Sequence, residues 1–365
     1  MDISQYTNEA VELLKKLIAT PSVSREETAA ADILADFIEN CGLPVKRIGN
    51  NILVCEDLDA EKPTLLLNAH IDTVKPVSTW TRDPFTPVVE GERLYGLGAN
   101  DCGGGLVSLL QVYRILREET SQREQNGETS LRVPYNIVYL ASCEEEVSGA
   151  GGFSLALPEL PKIDVAIVGE PTGMHPAIAE KGLMVIDGVA YGKSGHAARE
   201  EGVNAIYEAL DDLVWLRDYK FRKSSPLLGP TKLTVTVIEG GTQHNVIPDT
   251  LHFVVDVRTN EFYQNEFLFE FLRKKMKKCE LQARSFRLHS SSIPVDHPLV
   301  RRCIERGMQP FGSPTLSDQA LMPFHSLKLG PGDSNRSHSA DEFIRISEIE
   351  QAIDTYVALL EGLTL

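Results

Sequence analysis

Residues 63–74 read Pro-Thr-Leu-Leu-Leu-Asn-Ala-His-Ile-Asp-Thr-Val. A short apolar run closed by a polar turn is the mark of a parallel strand buried on both faces. It predicts a strand over 64–67, with His70 and Asp72 just past its carboxyl end, where open α/β sheets place their ligands. Asp72 could accept the second ring N–H of His70, which fixes the tautomer and makes a better metal ligand. A surface histidine beside a turn-forming aspartate has the same local pattern, so the choice depends on whether partners recur.

They recur at three further predicted strand ends. A strand over 136–141 runs into Cys143-Glu144-Glu145-Glu146-Val147-Ser148-Gly149, and one over 164–168 into Gly169-Glu170-Pro171-Thr172. One over 326–329 opens into Gly330-Pro331-Gly332 and continues through His338 to Asp341 and Glu342. A glycine-rich turn over 95–105 delivers Asp101 and leads into a helix over 106–116. Carboxylates gathered at one sheet edge repel unless positive charge sits among them, and two histidines with several carboxylates form a nitrogen and oxygen set suited to Zn²⁺. A solvated acidic face would account for the Glu144–Glu146 triplet on its own; its placement at a strand end is what counts.

Other chemistries fit poorly. A dinucleotide-binding turn would want glycine where Asp101 stands, and a phosphate loop would want Lys followed by Ser or Thr after its last glycine. No G-x-S-x-G elbow of a serine hydrolase occurs. With 52 acidic against 36 basic residues the net charge is −16, which argues against a nucleic-acid partner. The six cysteines include no C-x-x-C pair, as in a reducing compartment. No apolar run approaches the roughly 20 residues of a spanning helix, and the start of the chain has no signal-peptide pattern. The expectation is a cytoplasmic protein with no membrane partner.

The remaining pattern is α/β. Helices are expected over 8–18, capped by Thr7 or Asn8, and over 26–40; a strand over 51–56; loops over 80–89 and 118–134; and a closing helix over 347–360. Between them, strands over 183–191, 232–238, 250–258 and 281–288 and helices over 203–219 and 261–278 follow the order β-α-β-β-α-β, the ferredoxin-like unit. The expected organisation is a catalytic α/β domain from residues 1–180 and 292–365 with an inserted domain at 181–291.

These motifs together resemble the M20 metallopeptidases, the family of acetylornithine deacetylases, succinyl-diaminopimelate desuccinylases, aminoacylases and related carboxypeptidases. The resemblance spans nearly the whole chain. It rests on Ala69-His70-Ile71-Asp72, Gly96-x-Gly98-x-x-Asp101, Glu145-Glu146, Gly169-Glu170-Pro171 and the run from Gly330-Pro331-Gly332 to His338. It implies two divalent ions bridged by Asp101, with His70 and Glu170 completing one shell and Glu146 and His338 the other. Zinc is the first expectation and cobalt a substitute. It further implies Glu145 as general base, Asp72 behind His70, and a cis peptide bond between Asp101 and Cys102. Glu144-Glu145 could supply the pair instead of Glu145-Glu146; the Val147-Ser148-Gly149 that follows suits the second register.

For the inserted domain the resemblance implies a lid and dimerisation role. His196, in Gly192-Lys-Ser-Gly-His196, would stabilise the transition state, and Asn245 and Arg258 would bind the substrate's carboxylate or acyl end. A homodimer follows from the family's use of that histidine. The implied substrate is an N-acyl amino acid. N2-acetyl-ornithine comes first, N-succinyl-ornithine or N-succinyl-diaminopimelate is the rival, and a dipeptide is third. One departure stands out: Gly103 occupies a position where deacetylases of the family usually carry lysine.

Overall fold

The computed structural model describes residues 3–56, 58–125 and 133–365, without the side chains of 119–125. The chain divides into one compact unit of residues 1–178, 293–311 and 317–365 and a second of residues 179–292 and 312–316.

In the first unit, β1 (Lys46–Ile48), β2 (Asn51–Val54), β3 (Thr64–His70), β4 (Val88–Glu90), β5 (Arg93–Tyr95), β6 (Asn136–Ser142) and β7 (Val165–Val168) precede a late strand, His325–Lys328. The central sheet runs β1-β2-β6-β3-β7 and then His325–Lys328. β3 pairs parallel with β6 and β7, and His325–Lys328 pairs parallel with β7. All seven residues of β3 are buried, as its apolar run requires when both faces are covered. One face carries α1 (Ser4–Ile18), α2 (Thr28–Asn40), α3 (Gly104–Gln125) and the helix Ile346–Leu360, packed through Leu14, Leu34, Leu110, Tyr113 and Tyr356. The other is covered through Phe153, Ala156, Ile163 and Met322.

Parallel pairing has a direct functional consequence. The carboxyl ends of β3, β6, β7 and His325–Lys328 lie at one edge, and each leads into a segment carrying histidine or acidic residues.

Several local expectations need correction. α1 begins at Ser4; Thr7 lies inside it, with its hydroxyl donating to the Ile3 carbonyl, so neither Thr7 nor Asn8 is the cap. β3 extends to His70, which therefore stands on the strand itself, because its pairing with Ser142 completes the ladder. α3 runs on to Gln125, so the expected loop over 118–134 begins as helix: Arg-Glu-Glu-Thr-Ser-Gln-Arg-Glu-Gln is polar but rich in helix formers. The rest of that loop, 126–132, lies outside the described residues.

The second unit carries strands Gly182–Tyr191, Lys232–Gly240, Thr250–Thr259 and Cys279–Ala283, with helices Ala205–Asp218 and Asn265–Lys275 between them in β-α-β-β-α-β order. Its four-stranded antiparallel sheet has Thr250–Thr259 and Gly182–Tyr191 at the centre and Lys232–Gly240 and Cys279–Ala283 at the edges. The last strand starts and ends earlier than the expected 281–288. Buried Asp212 accepts the backbone N–H groups of Lys277, Lys278 and Cys279 at 2.9–3.0 Å and sets where the strand begins.

Candidate metal centre

At the sheet edge of the first unit, four of the segments described above converge on Asp101. His70 Nε2 lies 3.2 Å from Asp101 Oδ1 and 3.7 Å from Glu170 Oε1. His338 Nε2 lies 3.6 Å from Asp101 Oδ2 and 2.9 Å from Glu146 Oε2. The two carboxylate oxygens of Asp101 thus face two separate histidine–carboxylate pairs.

Each residue reaches this point for a local reason. Glu170 follows the end of β7 by two residues, and Glu146 follows β6 by four. Asp101 sits in the turn before α3, whose bond to Cys102 is cis, as the resemblance implies. A side chain at position 103 would bring its Cβ within 2.4 Å of the Gly98 carbonyl and 2.6 Å of Leu14. The turn therefore packs too closely on α1 for the lysine usual at this position. His338 adopts a positive φ of 57° on its loop, and its side chain is 54% exposed against 1% for His70.

Asp72 acts differently from expectation. His70 Nδ1 lies 2.8 Å from the Asp72 carbonyl oxygen and 3.6 Å from its carboxylate. That carboxylate instead accepts the backbone N–H groups of Glu145 and Glu146 at 3.0 and 3.1 Å and the Ser24 hydroxyl at 2.7 Å. Backbone amides compete successfully for it because the β6 turn folds directly over the end of β3. A carbonyl can only accept, so Nδ1 carries a proton and Nε2 is the nitrogen that faces Asp101 and Glu170.

The acidic triplet separates by direction. Glu144, at φ 53°, turns back and accepts the Gly151 N–H at 3.2 Å. Glu146 meets His338. Glu145 lies within electrostatic reach of Glu170, His70, Asp318 and Glu146. Among the two registers open in the sequence, Glu145-Glu146 is therefore the pair that faces the cluster.

Electrostatically the cluster is short of positive charge. Burial, followed by Glu170, holds the Glu145 carboxyl well above the carboxylate range despite the opposing His70. Burial and Asp101 push Glu170 up to about 8. The Glu146 hydrogen bond raises His338 to about 9, with burial opposing.

The donor set fits divalent ions. Two donors about 2.1 Å from a tetrahedral ion stand roughly 3.4 Å apart, and the observed separations of 2.9–3.7 Å bracket that figure. The buried Glu170 Oε1 has no hydrogen-bond partner among the described residues. Cys102 brings a thiol to the His70–Glu170 pair, and His70 donates its backbone N–H to Sγ at 3.4 Å. Sequence reasoning gave Cys102 no role; a cysteine without metal-ligand spacing carries no signal.

The residues singled out in the inserted segment, His196, Asn245 and Arg258, lie in the second unit. His196 pairs in register with Val246, and the Asn245 carbonyl accepts the Ala197 N–H at 3.0 Å, so His196 and Asn245 are strand neighbours. Both are exposed. Arg258 gives Nε and Nη2 to Asp256 at 2.9 and 3.1 Å, which engages its fork within the unit.

Comparison with known proteins identifies the family. A curated protein of Proteus mirabilis named acetylornithine deacetylase is 29% identical, over 97% of each chain. One of the same name from Klebsiella pneumoniae is 31% identical over 92% of each. Among solved structures, a dinuclear metal-binding peptidase of the M20 family from Bacillus subtilis superposes with a TM-score of 0.73 at 16% identity, over 98% of each chain. An M20 metallo-carboxypeptidase from Sulfolobus solfataricus gives 0.72 at 19%, over 96% of this chain and 98% of that one. The sequence profile of peptidase family M20/M25/M40 matches residues 66–362, and the chain is accordingly an amidohydrolase belonging to that family.

Proposed function

We propose that the chain is a dinuclear deacylase of N-acyl amino acids that converts N2-acetyl-L-ornithine and water to L-ornithine and acetate, in cytoplasmic arginine biosynthesis. The observation that carries the reading is the placement of Asp101, each of whose oxygens faces its own histidine–carboxylate pair. The name that four of the curated relatives share, acetylornithine deacetylase, supports the acetyl substrate.

His70, Asp101 and Glu170 would hold one ion, and Asp101, Glu146 and His338 the other, with zinc as the expected metal and cobalt as a substitute. When bound, the pair supplies Lewis acidity at the amide carbonyl and offsets the charge that develops there. Glu145 takes the proton of the attacking water and hands it to the leaving amine nitrogen as the C–N bond breaks. Its carboxylate makes no hydrogen bond among the described residues, and its raised proton affinity suits a group that must hold a proton between the two steps. Asp72 positions this base by gripping the Glu145 backbone and orients His70 through its carbonyl.

The second unit is read as a ferredoxin-like lid and dimerisation domain, in which His196 stabilises the transition state while Asn245 and Arg258 bind the substrate's carboxylate or acyl end. Its element and sheet order support that reading. So does its surface: Tyr207, Leu210 and Val214 are exposed on one helix, and Val237 and Ile238 on an edge strand, apolar area suited to a second copy.

The test is amide hydrolysis by chelator-treated protein restored with Zn²⁺ or Co²⁺. Metal-dependent release of ornithine from N2-acetyl-ornithine, well above N2-succinyl-ornithine, N-succinyl-diaminopimelate and a dipeptide, is the expected result. Preference for a succinyl substrate or the dipeptide would overturn the acetyl reading, and no turnover of any would overturn the deacylase reading.

A further inference from the structure

Glu342 is 2% exposed, yet its carboxylate bonds no side chain in the cluster described above. It accepts three backbone N–H groups of the glycine-rich turn: Asn100 at 2.8 Å and Asp101 at 2.9 Å on Oε1, and Gly98 at 3.2 Å on Oε2. Its own carbonyl accepts the Gly96 N–H at 3.0 Å. The same turn reaches the other way through Asn100. The Asn100 side chain accepts the Asp333 N–H at 3.0 Å and donates to the Asp333 carbonyl at 3.1 Å and the Ser337 hydroxyl at 3.3 Å.

The segment 333–342 is therefore gripped near both ends by one short turn. Asp101 lies in that turn. His338 lies in the gripped segment, one residue past Ser337 and four before Glu342. Its side chain is half exposed, and the charged groups it meets are the carboxylates of Glu146 and Asp101. His70, by contrast, is fixed by β3 and by the Asp72 carbonyl.

We infer that Asn100 and Glu342 form a clasp that sets the separation of Asp101 from His338, and that both are positioning residues for the ion held by Asp101, Glu146 and His338. This rests on the dinuclear reading above. The acidic side chain suits the task because it can accept several amides at once and so imposes one conformation on the turn.

The experiment is a Co²⁺ titration of chelator-treated protein, followed by visible absorption and calorimetry, for wild type, Glu342→Ala, Glu342→Gln and Asn100→Ala, with thermal unfolding alongside. Wild type takes two equivalents. Glu342→Ala weakens one of them about 10- to 100-fold, the range for losing a residue that orients ligands, and leaves the other within about threefold. Glu342→Gln, which keeps an oxygen for the Asn100 and Asp101 amides, recovers most of the loss. Raised Co²⁺ restores kcat in Glu342→Ala with KM unchanged. Should Glu342→Ala not fold, Asn100→Ala reports the same selective weakening from the other end of the clasp. Two equivalents in wild type with both unchanged in the variants, or both weakened equally alongside a drop in Tm, would overturn the clasp alone. Fewer than two equivalents in wild type would overturn the dinuclear reading and the clasp with it.

Discussion

Two buried acids, one in each unit, are treated in opposite ways. Asp212 in the second unit is 2% exposed and accepts backbone N–H groups from three successive residues, which lower its proton affinity against the effect of burial. Glu170 in the first unit is largely enclosed, its side chain 12% exposed, but one of its oxygens has no hydrogen-bond partner among the described residues, and burial with Asp101 pushes it up to about 8. The first is a finished structural joint, complete within the protein. The second belongs to a group of carboxylates that the polypeptide leaves electrostatically unsatisfied, and such groups accumulate where a site awaits a cation or a proton.

Substitutions should separate the two kinds of acid. The largest effect is expected at Glu145, where Glu145→Gln keeps the shape and loses the base. Turnover should fall by about 10²- to 10⁴-fold, the range for a general base, with bound metal unchanged by mass spectrometry. Loss of metal together with rate would make Glu145 a ligand instead.

Stability should move in opposite directions at the two acids. Asp212→Ala removes an acceptor from several amides and should cost about 2–3 kcal/mol in urea unfolding, the scale of hydrogen bonds to a charged group. Glu170→Gln in metal-free protein removes one of several crowded carboxylates. It should leave stability unchanged or raise it by about 1 kcal/mol, while metal-restored Glu170→Gln should have lost turnover. A destabilisation at Glu170 as large as that at Asp212 would erase the distinction.

The smallest effect is in pH dependence. The folded pKa of Asp212 lies below its unfolded value near 3.8, so its contribution is fully present above that value and is lost as pH falls toward the folded pKa. Wild type should therefore lose more stability than Asp212→Asn on acidification below about pH 4, as read from urea midpoints at stepped pH.

Much of this was legible in the residues themselves. β3, β6 and β7 are apolar runs ending in polar turns, and parallel pairing then carries His70, Glu146 and Glu170 to one edge. What escaped was decided by tertiary competition. Nothing in the sequence says that the Asp72 carboxylate turns to the amides of Glu145 and Glu146, leaving its carbonyl to His70. The triplet's register stays open until Glu144 is placed turning back to Gly151. Glu342 stood in the tail motif without a role, because gripping backbone across some 240 residues of separation leaves no local pattern. Gly103 read only as a departure from the usual lysine; the close approach of position 103 to Leu14 and to the Gly98 carbonyl, which calls for glycine there, has no local signature.

If Asp101 serves two cation sites at once, anomalous difference maps from zinc-grown crystals of wild type and His338→Ala will show it. Wild type should give two peaks about 3.5–4 Å apart flanking the Asp101 carboxylate, and the variant only the peak beside His70 and Glu170. A single peak in wild type, or two undiminished peaks in His338→Ala, would contradict the bridging role.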